Sequence, residues 1–304
     1  MTAMTSSRTP WAGLACAIAG SIAFSGKAII VKLAYRHGVD AVTVILLRMA
    51  MALPLFAAMA WWAGRGKPAL TRRDLLVVAG LGFCGYYLAS MLDFMGLAYI
   101  SAGLERLILY LNPTLVLLLG WARFGRQASR GQLLAMALSY AGMLLAFSHE
   151  VTLEGDHVLL GGAMVFASAV SYAVYLVYSG EEVRRLGSLR LTGLASSVAC
   201  GLCIVQFMLL RPLEDLAVVP MPVIWLSLLN ALACTVAPVL LVMLAIERVG
   251  AGLTAQVGMI GPLSTISMGV LILGEPFSGW IAAGTLLVLS GVALLAHRQR
   301  AGAG

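Results

Sequence analysis

Four ionisable side chains stand where so apolar a chain should carry none. Lys27, Arg48, Asp93 and Glu105 each lie within long stretches of Ala, Leu, Val, Ile and Met. A charge placed in hydrocarbon costs roughly 2.5–3.5 kcal/mol on insertion scales, so each needs a partner or a task. At a common depth, these bases and acids can neutralise one another as a structural ion pair, orient a zwitterion, or carry a coupling proton. Glu105 has a further use, because a carboxylate in the first turn of a helix complements the helix dipole. That reading leaves Glu105 and its neighbour Arg106 serving one end of a helix. Lys32, closer to the end of its apolar run, can snorkel to the interface.

A second set of residues clusters around two prolines. The stretch AGLERLILYLNP, Ala102 to Pro113, ends on an Asn-Pro pair, and AGLTAQVGMIGP, Ala251 to Pro262, has the same opening triplet and the same closing proline at the same spacing. A proline inside a helix leaves the carbonyl four residues back without its donor, which frees Leu109 and Gly258. At about 1.5 Å per residue each proline falls roughly 18 Å along its helix, near mid-membrane. Lipid cannot satisfy a freed carbonyl, whereas a neighbouring helix or a water-lined cavity can; a simple packing kink is the alternative. Asn112, Gln256 and Met259, beside the prolines, offer hydrogen bonds or adaptable apolar contact.

Tyr86, Tyr87, Tyr172 and Tyr175 fall at mid-helix, and a Tyr ring supplies both an apolar face and a hydroxyl. The candidate substrate contacts are therefore Lys27, Tyr86, Asn112, Pro113, Tyr172, Tyr175, Gln256, Met259 and Pro262. Arg48, Asp93 and Glu105 are the candidate charge or coupling residues.

The elements that must position these side chains follow from composition. The chain is 61% hydrophobic and 11% charged over 304 residues, against about 25% charged for a soluble domain. Ten apolar runs of about 18 residues or more, enough for roughly 30 Å of hydrocarbon, fall near Trp11 to Ala34, Ala41 to Ala63, Leu75 to Leu97, Ala102 to Ala122, Gly131 to Ser148, Val158 to Tyr178, Leu189 to Leu210, Met221 to Ile246, Gly250 to Leu273 and Phe277 to Ala296. Runs so long and uniform suit helices rather than alternating barrel strands. The expected fold is an all-α integral membrane protein. The first run leads straight into further spans and reads as a helix rather than a cleaved leader.

Of the 20 Lys and Arg, all but Lys27, Lys32, Arg36, Arg48, Arg106 and Arg211 fall in the N-terminus, the C-terminus or the even-numbered connections. The positive-inside rule then puts both termini in the cytoplasm. The formal charge of +7 is an orientation signal and no sign of a nucleic-acid surface. Trp11, Trp61, Trp62 and Trp121 fall at inner ends, and Trp225 and Trp280 at outer ends, as an interfacial belt requires.

Aligned without gaps at one offset, Ala102, Gly103, Leu104, Pro113, Gly120, Gly125, Ser129, Leu138, Gly142 and Leu145 meet identical residues from Ala251 to Leu294. Two five-helix units, residues 1–150 and 151–304, account for this. A unit with an odd number of spans repeated in tandem enters the membrane in opposite senses, the inverted arrangement of secondary transporters. The ten-helix plan, the doubled AGL frame with its proline, Arg48 in LLRMAMALPLF and LGEPFSGW around Glu275 together resemble the drug/metabolite transporter superfamily, in particular its bacterial EamA-type exporters. Within that group the chain looks most like the YddG aromatic amino-acid exporters. The resemblance implies a central cavity walled by helices one, three, four, six, eight and nine. One departure is Arg126, after Gly125, where the family favours an acid in both halves.

Several motifs do not carry the chemistry they imitate. GLGFCG, Gly80 to Gly85, matches a dinucleotide fingerprint but lies inside an apolar run, without the strand before it and helix after it that the fingerprint needs. GSIAFSGKA, from Gly20, lacks phosphate-loop spacing, so no ATPase and no ATPase subunit is implied. Cys16, Cys84, Cys200, Cys203 and Cys234 all fall in spans and read as small buried side chains. His149, Glu150, Asp156 and His157 form at most a weak metal set. The sequence reading has no cofactor and no metal, membrane lipid and a small-molecule substrate as partners, and no nucleic acid. It expects a non-enzymatic exporter of the bacterial inner membrane that moves amino acids with aromatic or apolar side chains by alternating access. Two other readings are anionic metabolites, such as a sugar phosphate or nucleotide sugar held by Lys27 and Arg48, and a membrane-embedded enzyme. The latter would need clustered catalytic groups.

Overall fold

A computed structural model describes residues 10–124, 130–154, 156–249 and 260–301, and among them every regular element is a helix. In chain order these are α1 (Pro10–Tyr35), α2 (Ala41–Gly64), α3 (Arg72–Leu97), α4 (Ala102–Leu109), α5 (Asn112–Phe124), α6 (Arg130–Glu154), α7 (Asp156–Leu186), α8 (Ser188–Leu210), the single turn α9 (Glu214–Ala217), α10 (221–249), α11 (Gly261–Leu273) and α12 (Gly279–Ala301). Ala, Leu and Met dominate them and favour helix. In hydrocarbon the helix also satisfies each backbone donor and acceptor within one segment.

Among the described residues seven spans, one of them α4 and α5 taken together, are long and apolar enough to cross a membrane, and three shorter apolar helices, Leu133–His149, Gly261–Leu273 and Gly279–Leu294, accompany them. All six tryptophans are exposed, as an interfacial belt requires. Local signals set the helix starts. Asp40 accepts from the Thr43 amide at 2.8 Å, Thr71 and Asp74 form a reciprocal capping box, and the Ser101 hydroxyl accepts from Leu104 at 3.0 Å to open α4.

Among the described residues three helices contain π-helical turns, the third being Gly269–Leu273 at the end of α11. Phe83–Leu88 widens α3 and Leu232–Val236 widens α10, and these two turns begin at the offset that relates Ala102 to Ala251. The motif GLGFCG is thus continuous helix. A side chain at Gly82 would strike the Ala195 carbonyl of α8, and one at Gly85 would strike the Tyr175 ring of α7. These glycines admit close neighbours, as small residues do between membrane helices.

Helix pairings follow a pattern. Helix α6 runs along α12 and α2 along α8; α1 packs on α10 as α3 packs on α7; α1 meets α11 as α7 meets α4 and α5. The largest apolar core cluster, containing Ile45, Met49, Phe56, Phe94, Leu97, Cys200 and Ala231, joins α2, α3, α8 and α10.

Both prolines depart from the expected mid-helix kink. The chain turns at Tyr110 and Leu111, so Pro113 stands in the first turn of a new helix, and Pro262 likewise occupies the opening of α11. At such positions the missing N–H has no helical partner to lose. At Pro113 the interruption is therefore a break between two helix segments.

Candidate functional site

One group of buried polar residues forms where α1, α3, α4 and α11 meet. Lys27 lies about two turns before the end of α1, Asp93 about one turn before the end of α3, and Glu105 in the first turn of α4. Lys27 Nζ is 2.5 Å from Asp93 Oδ2 and 3.4 Å from Glu105 Oε1. The side chains of Asp93 and Glu105 are 3% and 0% exposed, and that of Lys27 only 16%. Two carboxylates therefore face one ammonium inside an apolar bundle. Glu105 Oε1 and Oε2 make no hydrogen bond and neither does Asp93 Oδ1, so acceptor capacity is left over.

Arg106 completes the group. Its Nε donates to the Thr265 hydroxyl at 3.0 Å and its Nη2 to the Phe24 carbonyl at 3.0 Å. Ser25 Oγ donates to the Gly261 carbonyl at 2.9 Å. These bonds tie α4 and α1 to the opening turns of α11, beside Pro262.

Glu105 stands in the first turn of α4 as expected and there also faces Lys27, while Arg106 reaches across to α11 and α1. Ser101 caps α4, and the carboxylate at its first amide belongs to Glu275, whose Oε1 accepts from Ala102 at 2.9 Å. The same oxygen is 3.3 Å from Lys32 Nζ, so Lys32 is ion-paired rather than snorkelling freely. Gly274, at φ 73°, reverses the chain so that Glu275 points back at α11, a conformation that favours glycine. Gly269 leaves room for the carboxylate, since a side chain there would meet Glu275 Oε2 at 2.7 Å. Arg36 Nη2 donates to the Leu273 carbonyl at the same end. A cavity of about 90 Å³ opens beside this pair, lined in part by Lys32, Ser101, His149, Glu275 and Phe277.

Arg48 does not join the Lys27 group. It is 3% exposed and its Cζ lies 4.5 Å from the centre of the Phe94 ring. The tyrosines form a separate seam between α3 and α7. The Tyr86 and Tyr175 hydroxyls are 3.1 Å apart, and Tyr172 stacks on Tyr175 at 5.5 Å. Val78, Leu81, Leu186 and Leu191 surround this seam. Tyr87 instead packs against Phe83.

Asn112 Oδ1 is buried without a hydrogen-bond partner, Pro113 is exposed and Pro262 is buried. Gln256 and Met259 lie outside the described residues, as does Arg126. Sequence reasoning missed Arg106, Thr265, Ser25 and the Lys32–Glu275 pair as parts of one end. Only Glu275 had a local signal, its place in LGEPFSGW.

Comparison with known proteins gives this arrangement a context. The EamA-like transporter family matches twice, over residues 11–148 and 159–296. The uncharacterized transporter YcbK of Bacillus subtilis (strain 168) is 30% identical over 269 residues, covering 87% of this chain and 86% of its own. An uncharacterized transporter of Synechocystis sp. is 26% identical over 268 residues, 84% of this chain and 79% of its own. A solved crystal structure has the same fold, with a TM-score of 0.64 at 19% identity over 94% of this chain and 98% of that one. A multi-pass apolar helical bundle and two family matches that span most of the sequence lead to one conclusion: the chain belongs to the EamA-like transporter family, and its general role is membrane transport.

Proposed function

We propose that the protein is a secondary transporter that exports small amphipathic metabolites, chiefly amino acids with aromatic or apolar side chains, across the bacterial inner membrane by alternating access. The observation that carries this reading is the buried group of Lys27, Asp93 and Glu105, with acceptor atoms unused, inside an apolar bundle. Such groups are costly in a membrane and are kept where they handle cargo or ions. With Arg106 beside them, two carboxylates balance two cations. That neutrality favours a zwitterion over a phosphorylated metabolite, whose anionic head would meet Asp93 and Glu105.

Two inverted five-helix halves around a central cavity are the scaffold we assign to this cycle. Supporting it are the tandem family matches, the π turns at a shared offset and helix pairings that map onto themselves when α1, α2, α3, α4 with α5, and α6 are exchanged for α7, α8, α10, α11 and α12. Cytoplasmic termini are supported by the distribution of Lys and Arg. The wall for an apolar side chain is assigned to Tyr86, Tyr172 and Tyr175, and the mid-membrane contacts to Asn112, Pro113, Gln256, Met259 and Pro262. Single-chain transport without an ATPase subunit accords with the family.

The test is flux of labelled amino acids and phosphorylated metabolites in proteoliposomes, with and without a pH gradient. Phenylalanine or another apolar amino acid should move and sugar phosphates should not. Movement of the phosphates alone, or of neither class, overturns the proposal.

A further inference from the structure

Among the described residues no carboxylate lies within ion-pair distance of Arg48, and its Nε and Nη2 are buried without hydrogen bonds. Cys200, Cys203, Cys234 and Asp93 are within its electrostatic reach, and the thiols offer no opposing charge. The Phe94 face offers a desolvated cation–π contact, which falls short of the penalty for a buried ion. The ring alone leaves the guanidinium unsatisfied.

Asp93 is the complementary case. Its Oδ2 takes Lys27, while Oδ1 is buried and bonded to nothing. Lys27 Nζ lies 5.9 Å from the centre of the same Phe94 ring that Arg48 covers at 4.5 Å. A cation with two idle donors therefore lies on the Phe94 ring, and an acid with an idle acceptor is the next residue in the chain, paired to the Lys27 that approaches the same ring. Nε and Nη2 form one edge of the guanidinium plane, the geometry that takes a carboxylate through two parallel bonds. A group that completes both sides must carry paired anionic oxygens and an N–H donor close together.

We propose that Arg48 and Asp93 recognise the zwitterionic head of an amino acid, with the Arg48 Nε–Nη2 edge taking the α-carboxylate and Asp93 Oδ1 the α-ammonium. The inference rests on the amino-acid reading above and supplies its recognition atoms. Both groups are sealed from solvent in this conformation, so the head group reaches them only after the bundle opens. A bridging water would satisfy the same atoms but would not discriminate among cargoes.

Competition for labelled phenylalanine flux into proteoliposomes separates these cases on the native protein. Phenylalanine methyl ester, which lacks the carboxylate, and phenylpropionate, which lacks the ammonium, should each compete at least about tenfold more weakly than phenylalanine, the equivalent of about 1.4 kcal/mol. Arg48→Gln should raise the KM for phenylalanine about tenfold or more and abolish the preference over the ester, whereas Arg48→Lys, which keeps the charge without the fork, should fall between. If Arg48→Gln does not fold, the native competition series still decides. An ester that competes as well as phenylalanine, or a folded Arg48→Gln protein with unchanged KM and preference, overturns the inference while leaving amino-acid transport intact. A wild-type protein that moves no amino acid overturns both.

Discussion

Lys27 binds two acids of unequal kinds. Asp93 holds it at 2.5 Å, whereas Glu105 approaches to 3.4 Å from a fully buried position. Removing one member of a buried pair costs about 3–5 kcal/mol, because the other is left as an uncompensated charge, while replacing both with apolar groups of similar size can be neutral. We expect Asp93→Asn to lower thermal stability in detergent by an amount in that range, and the double variant Lys27→Met, Asp93→Leu to recover most of it. Transport should fail in both, which separates the structural debt from the task. These charges were legible in the sequence because an ionisable group in an apolar run has no bland explanation. Depth brought Lys27 and Asp93 together as an ion pair across 66 residues, but depth along a helix does not say which face a side chain takes. Arg48 shows the limit, as depth grouped it with Lys27 and packing put it against Phe94.

Apolar length located the long helices to within a few residues, while the break after Leu109 and the widened turns were invisible to it. A π turn reflects how a helix fits its neighbours, and the stretch from Phe83 to Leu88 has no local mark beyond Gly85. The break before Pro113 was signalled by Asn-Pro, but a kinked rod and two shorter rods share that signal. Asp40 illustrates an element fixed by ordinary capping. Partial burial pushes its carboxyl upward, but the Thr43 amide and hydroxyl together with Arg211 outweigh it, and the group titrates below its usual range. A depressed folded value means that the stabilisation is present above the unfolded carboxylate range and is lost as the pH falls through the folded one. Melting temperature should therefore decline in that acidic window. Asp40→Asn, which keeps a capping oxygen but cannot titrate, should flatten this decline. Asp40→Ala should cost about 0.5–2 kcal/mol at neutral pH.

Across the whole molecule, the sequence conveyed the class of fold and the doubled frame, because both are written in composition and period. It could not convey the bond from Ala102 to Glu275, which joins positions 173 residues apart. That contact links the start of α4 to the turn after α11, and through Lys32 to α1. Substituting cysteine at Lys32 and Glu275 and bridging them with a short bifunctional reagent should arrest flux, with recovery when a cleavable bridge is cut. Undiminished flux in fully bridged protein would remove that end of the bundle from the transport cycle. Glu275 Oε1 serves the ammonium and the amide at once, so one bolt is thrown into two sockets. Withdrawing the bolt strands a helix amide and an ammonium together, so α1, α4 and the turn after α11 should come apart in one step rather than in turn.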